Sequence, residues 1–242
     1  MNTSESISEQ EVNIRQARAE RILDVAAELY QRHGYKRVTI DDIAERAEIG
    51  KGTIYLHWKT RQELSVAVIE REMVSGIDEF ISAIQQDPNT VLPHRIALLI
   101  YLIIMRRPML RALYTGDWNV LGKLAKGGLG GEVVKNISRA TSGYLSIMVE
   151  CGVIRPGISI TDLTFLCRTT VGGFFLTDAI LSETYPFTLE HKAELLADVV
   201  RRAFEAETSP APEAIQLLAS RTIELLTKVR AEIFDRLGQA YQ

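Results

Sequence analysis

The sequence predicts an all-α fold, and three observations predict it. Apolar residues recur at three- and four-residue spacing along most of the chain. No stretch alternates in twos between hairpin turns, and β-rich runs such as Thr169-Thr170-Val171 sit inside helix-period patterns. Capping Thr residues, Gly stops and Asp-Pro breaks punctuate the periodic segments. With 46% hydrophobic and 24% charged residues in 242, the chain is globular and long enough for a substantial core, which excludes disordered and collagen-like classes.

The first periodic face runs from Asn13 to His33, with Ile22, Val25, Ala26, Leu29 and Tyr30 on one side and Gly34 as the stop. Residues 1–12 read as a flexible tail. A short helix follows over Ile40–Ala47, capped by Thr39, with Asp42 placed to complete a capping box. After Glu48-Ile49-Gly50 comes a third short helix, Lys51–Trp58. Thr60-Arg61-Gln62-Glu63 then opens a fourth that runs to about Gln85, before Asp87-Pro88 ends it. Three compact helices, the last two joined by a short turn, have helix-turn-helix geometry. Longer helices are expected over about 91–106, 108–115, 132–150, 161–182, 188–206 and 212–237. Loops are expected at Lys126–Gly131 and Cys151–Ile160. The organisation predicted is a DNA-binding domain over 1–64 and a helical regulatory and dimerisation domain over 65–242, with 212–237 as an extra C-terminal helix.

The N-terminus has neither a basic nor an apolar segment of secretory type, and the most apolar run, Ile96–Met105, is about half the length of a membrane span. A cytoplasmic protein without membrane contact is expected. Cys151 and Cys167 have no paired Cys/His spacing, so neither a disulfide framework nor a metal site is expected, and no cofactor is implied.

A formal net charge of −3 argues against nucleic acid only when taken whole. Between Ile49 and Arg61 stand Lys51, Lys59 and Arg61 with no acid, and His57 lies among them. On the Lys51–Trp58 helix, Ile54 and Trp58 point one way, into a small core. The remaining face offers an ammonium, a hydroxyl, a phenol and an imidazole, groups that bond phosphates and base edges. Gly50 and Gly52 clear the helix start, where backbone amides attract an anion. Tyr55 and His57 are also compatible with ordinary, partly buried packing.

The run Val38-Thr39-Ile40-Asp41-Asp42-Ile43-Ala44-Glu45-Arg46-Ala47, followed by Lys51-Gly52-Thr53-Ile54-Tyr55-Leu56-His57-Trp58-Lys59 and Glu63-Leu64, closely resembles the signature of the tetracycline-repressor (TetR) family of bacterial transcription regulators. The resemblance covers roughly residues 15–64. It implies a two-domain homodimer on a palindromic operator, with the larger domain usually housing a ligand pocket. It also implies that Thr39, Lys51, Gly52, Thr53, Tyr55, His57 and Lys59 meet DNA, with base contact from Lys51, Thr53 and Leu56. Arg61 joins the DNA-facing set by its charge. Two positions depart from the family pattern. Glu48 stands where a turn Gly is usual, and Gly50 where a capping Ser is usual. Both bear on the angle of the recognition helix.

In the larger part, small residues along 161–182 (Thr169, Thr170, Gly172, Gly173, Ala179) and the apolar face of 188–206 suit a four-helix dimer interface, or equally intramolecular packing. Tyr101, Met105, Tyr114, Trp118, Phe165, Arg168, Phe174 and Phe175 are the candidates for a largely apolar ligand pocket, though the same spacing also describes core. Arg168, in an apolar helix, would need a partner, and Asp162, Asp178 or solvent would each serve. The expected function is a homodimeric repressor released from its operator by a small molecule. The alternatives are a DNA-bound regulator or recruiting factor without a ligand, and an α-helical enzyme, for which His33, His57, His94 and His191 are too scattered.

Overall fold

The computed structural model describes residues 3–115, 129–181 and 183–241, which form ten α-helices and one 3-10 turn. Helix α1 (Thr3–His33) begins within the stretch expected as a tail, since nothing from Thr3 to Asn13 is Gly or Pro and the helix can propagate. Ile22, Leu23, Ala26 and Tyr30 are its buried face, and Gly34 closes it at φ +76°. α2 (Ile40–Arg46) carries the full capping box. The Asp42 amide donates to Thr39 Oγ1 at 3.2 Å, and Asp42 Oδ2 accepts from the Thr39 amide at 2.7 Å. α3 (Lys51–His57) starts at Gly50, which supplies no side-chain cap.

α4 (Arg61–Gln86) is roughly 39 Å long at 1.5 Å per residue. Every residue from Leu64 to Glu70 is buried. A helix enclosed on all sides lies inside a shared core, and the apolar residues of α1–α3 and of the body belong to one continuous cluster through this segment. The division expected after Leu64 therefore falls within a helix that both parts bury.

The body comprises α5 (Pro93–Met105), α6 (Pro108–Thr115), α7 (Leu129–Glu150), α8 (Ile160–Leu181), α9 (Leu189–Phe204) and α10 (Pro212–Tyr241). The expected loop at Lys126–Gly131 is already helical at Leu129, while its first residues lie outside the described ones. α5 packs along α9, and their ends are pinned by Glu205. Its Oε1 accepts from the His94 amide at 2.7 Å and meets His94 Nδ1 at 2.6 Å, capping the first turn of α5. α5 also crowds α4. A Cβ on Gly76 would sit 3.0 Å from Ile103 Cγ2, so that close approach depends on glycine. Tyr101, Phe175 and Tyr114 stack in series, with centroids 5.2 and 5.1 Å apart, and lock α5, α8 and α6 together.

α10 extends to Tyr241 and runs against α4. Arg230 bonds Asp78 at 2.6 Å and Arg236 bonds the buried Glu70 at 2.9 Å. No helix among the described residues is long and apolar enough to cross a membrane.

Glu72 on α4 accepts the Leu110 amide at 3.0 Å, within the first turn of α6. Burial pushes its carboxyl up to about 7, against the opposing pull of the Leu110 amide and Arg107. Because the folded value lies above the unfolded one, the neutral acid suits the fold. Its contribution is whole below about 4.5 and is lost as pH rises through about 7. Glu72→Gln keeps an acceptor without the charge. By urea unfolding it is expected to be more stable than the parent at about pH 8, by up to about 3 kcal/mol. The advantage should vanish near pH 4.5. An equal difference at both pH values would contradict this assignment.

Candidate nucleic-acid interface and ligand cavity

The turn between α2 and α3 is built by backbone bonds from Glu48 N to Glu45 O (3.1 Å) and Ile49 N to Ala44 O (3.0 Å). They force Glu48 to φ 55°, the left-handed conformation its position demands. Ile54 and Trp58 then fall inward, while Tyr55 (43% exposed) and Leu56 (68%) face out with Lys51 and Gly52. Thr53 is half-buried and Thr39 is exposed one helix earlier.

Lys51 is engaged within the protein. Its Nζ lies 2.9 Å from Asp41 Oδ1 on α2, and this bond raises the ammonium pKa. Both partners are largely exposed, so a phosphate or a base edge can replace the carboxylate. His57 is only 8% exposed and its ring lies 5.4 Å from Trp58, so it packs more than it presents. Arg61 is positioned otherwise than its charge suggested. Its guanidinium donates to the Tyr35 carbonyl and lies over the Tyr35 ring at 4.1 Å, tying the start of α4 to the loop after α1. Lys59 is exposed at the α3–α4 junction, where its amide donates to Glu63 Oε2 at 2.9 Å. Lys36 and Arg37, outside the Ile49–Arg61 stretch, are two further exposed bases just before Thr39. Their adjacency to the capping Thr was the available signal.

The body encloses a cavity of about 480 Å³, within the range of small-molecule sites. α4 contributes Met73, Gly76, Ile77 and Phe80, and α5 lines it from Pro93 to Ile104. Residues of α6 to α10 complete the wall. Of the candidates drawn from sequence, Tyr114 and Arg168 line it. Tyr101 and Phe175 are buried in the aromatic stack beside it, with Phe174 edge-on to Tyr101 at 6.4 Å, and Met105 is buried but off the lining. Phe165 is 68% exposed on the outer face of α8, turned away because the Cys167–Arg168–Val171 side of that helix faces inward. Trp118 lies outside the described residues. The aliphatic walls from α5, α7 and α10 carried no mark in the sequence, since their spacing is that of any core helix.

Among the described residues, no cluster of acids, histidines and cysteines is arranged to hold a metal. A short helix presenting polar groups over a helix-turn-helix, joined through α4 to a body with an apolar cavity, defines a DNA-binding transcriptional regulator rather than an enzyme. Residues 22–68 match the family model described as bacterial regulatory proteins, tetR family. The fatty acid metabolism regulator protein of Bacillus subtilis (strain 168) is 24% identical over 150 residues, spanning 57% of this chain and 72% of that one. A choline-bound transcriptional regulator from Saccharomonospora viridis shares the fold with a TM-score of 0.59 at 19% identity, over 79% of this chain and 99% of the other. SmeT, the repressor of the Stenotrophomonas maltophilia multidrug efflux pump SmeDEF, does so with a TM-score of 0.55 at 19% identity, over 80% and 97%. Residues 22–68 thus carry the DNA-binding segment of the TetR family of bacterial transcriptional regulators, and the helical body shares the fold of solved regulators.

Glu48 holds a left-handed conformation with a side chain whose exposed pairing to Arg21, at 3.3 Å, offsets little. Glu48→Gly should stabilise the protein by about 1 kcal/mol, read as a higher urea midpoint. A lower midpoint would mean that the turn is not strained.

Proposed function

We propose that the chain acts as a homodimeric repressor whose two α3 helices enter successive major grooves of a palindromic operator, and that a small, largely apolar molecule in the cavity releases it. The observation that carries this reading is the double use of α4. Its first half is buried and packs on α1, which in turn carries α2 and α3, and its middle supplies Met73, Gly76, Ile77 and Phe80 to the cavity wall. A ligand that fits better when those side chains shift would move the DNA-binding end of the same helix, and only such differential affinity can change operator binding. Proteins of this fold solved in complex with triclosan and with choline fit the reading.

Lys51, Thr53 and Leu56 would touch bases, while Thr39, Gly52, Tyr55, His57 and Lys59 would lie along phosphates, joined by Lys36 and Arg37. Arg61 would act through the placement of α4. A location in the cytoplasm, with the operator, follows from the same reading.

Dimerisation is supported by an exposed stripe on α8 that includes Phe165, Thr169, Gly173, Leu176 and Ile180, the last 75% exposed. On α9 it continues in the exposed Leu195 and Val199. An uncovered apolar face of this extent suits a second copy of the chain. Two-fold pairing would set the spacing of the reading heads.

Fluorescence anisotropy with DNA from the adjoining promoter tests the operator contacts. Lys51→Ala and Tyr55→Ala should each weaken binding about 10-fold or more at moderate salt, with folding unchanged. Parental affinity in both would overturn the assignment of α3. Introducing Leu176→Glu with Ile180→Glu should convert the dimer to monomer in light scattering and weaken operator binding with it. A dimer that survives this change would remove the α8–α9 interface.

A further inference from the structure

The polar groups of the cavity are unevenly distributed and unevenly occupied. Thr141 donates to Ile137 O at 2.8 Å, Tyr144 to Val91 O at 2.7 Å and Thr222 to Leu218 O at 2.6 Å, so these hydroxyl hydrogens are already spent on backbone carbonyls. What remains is concentrated at one end. There Arg168 on α8 donates to Ser138 on α7 at 2.8 Å, and it lies close enough to Tyr114 to oppose the effect of burial on that phenol.

Among the described residues Arg168 is the single cation in the wall, and it lines the cavity while its side chain is exposed. The acids that might have neutralised it are engaged elsewhere. Asp178 pairs with Lys192, and Asp162 accepts from the Ser159 hydroxyl at 2.7 Å. Among the described residues, no carboxylate pairs with Arg168, and its remaining N–H groups are available to an incoming acceptor.

From this end the cavity runs inward along two helices. α5 lines it from Ile104 back to Pro93 and α7 from Ile137 to Met148, in each case roughly 16 Å of helix. Pro93, Met148, Ile154 and Phe204, all apolar, line it where those two stretches reach the Ile154–Glu205 and His94–Glu205 contacts. The shape is a slot with one cationic lip.

We propose that the cavity takes a single-chain amphiphile with an anionic head, the head on Arg168 and Ser138 and the aliphatic tail directed toward Met148 and Ile154. This rests on the ligand-cavity reading above and narrows it to a chemical class, of which long-chain carboxylates are the simplest members. The guanidinium offers a carboxylate two parallel donors, which neither an alcohol nor an amine can match. The length of the slot makes affinity rise with chain length until the tail meets Phe204.

The test uses the full-length protein and displacement of a neutral apolar dye, Nile red, by octanoate, laurate, dodecanol and dodecylamine below their aggregation limits. Laurate should displace the dye at concentrations about 10-fold or more lower than octanoate, dodecanol or dodecylamine. Arg168→Leu should weaken laurate about 10-fold or more while leaving dodecanol and the dye unchanged, and Arg168→Lys should recover part of the loss. If dodecanol matches laurate, or Arg168→Leu binds both as the parent does, the anionic-head assignment is overturned and the apolar cavity stands. If the dye binds but no chain displaces it, the amphiphile is likewise excluded. If the dye itself does not bind, the cavity reading fails with it.

Discussion

Seven consecutive residues of α4, Leu64 to Glu70, have no solvent-facing side, and the rest of the structure is arranged around that constraint. A helix buried on every side cannot be a hinge between independent bodies. Displacement at one end of it would be carried to the other, because packed interiors move between discrete arrangements rather than deforming continuously. The apolar core continues from α1 through this segment into the body. Tyr30 reaches Ser65 by a 2.9 Å hydroxyl contact at the same level. α10 secures the other flank through Arg236 on Glu70 and Arg230 on Asp78, and its Leu225, Leu226 and Val229 also wall the cavity. The C-terminal helix is thus part of both the cavity and the clamp on α4. Glu70, desolvated and held by Arg236, would be costly to leave alone.

The reading head is electrically modest. Residues 1–64 carry a net −1 and the remainder a net −2, and Lys51 is already bridged to Asp41. Affinity for DNA at large would be weak, and operator binding would rest on a few aimed contacts per subunit, with a salt dependence set by their number. An exchange of Asp41 for a DNA acceptor at Lys51, as proposed, would suit discrimination more than strength. Correctly placed acceptors recover what the carboxylate gave, and misplaced ones do not.

Much of the fold was legible in the sequence because helix ends carry chemistry. Thr39 with Asp42 and Thr60 with Glu63 marked where α2 and α4 begin, and Asp87-Pro88 marked where α4 stops. The left-handed turn at Glu48 was legible from the family pattern. The start of α1 was not, since an uninterrupted polar stretch carries no boundary signal. Two basic-strip residues were placed by tertiary contacts that spacing cannot reveal: Arg61 is held over Tyr35, and His57 against Trp58. The cavity was least legible. Periodicity tells which side chains point inward, but not whether they meet a neighbour or a void. The conspicuous aromatics Tyr101 and Phe175 found each other and filled space. The void is bounded largely by Ile, Leu, Val, Ala and Gly, residues with no individual signature. Of the sequence candidates only Tyr114 and Arg168, the latter anomalous in an apolar helix, pointed there.

The central claim is that occupancy of the cavity and occupancy of the operator are alternatives linked through α4. Thermodynamic linkage makes it directly measurable: operator affinity with and without saturating laurate, and laurate affinity with and without saturating operator, must change by the same factor. Each should weaken the other equally, by about 5-fold or more, and the coupling should persist in dimers of unaltered mass. Laurate that binds the cavity while operator affinity stays constant would contradict it.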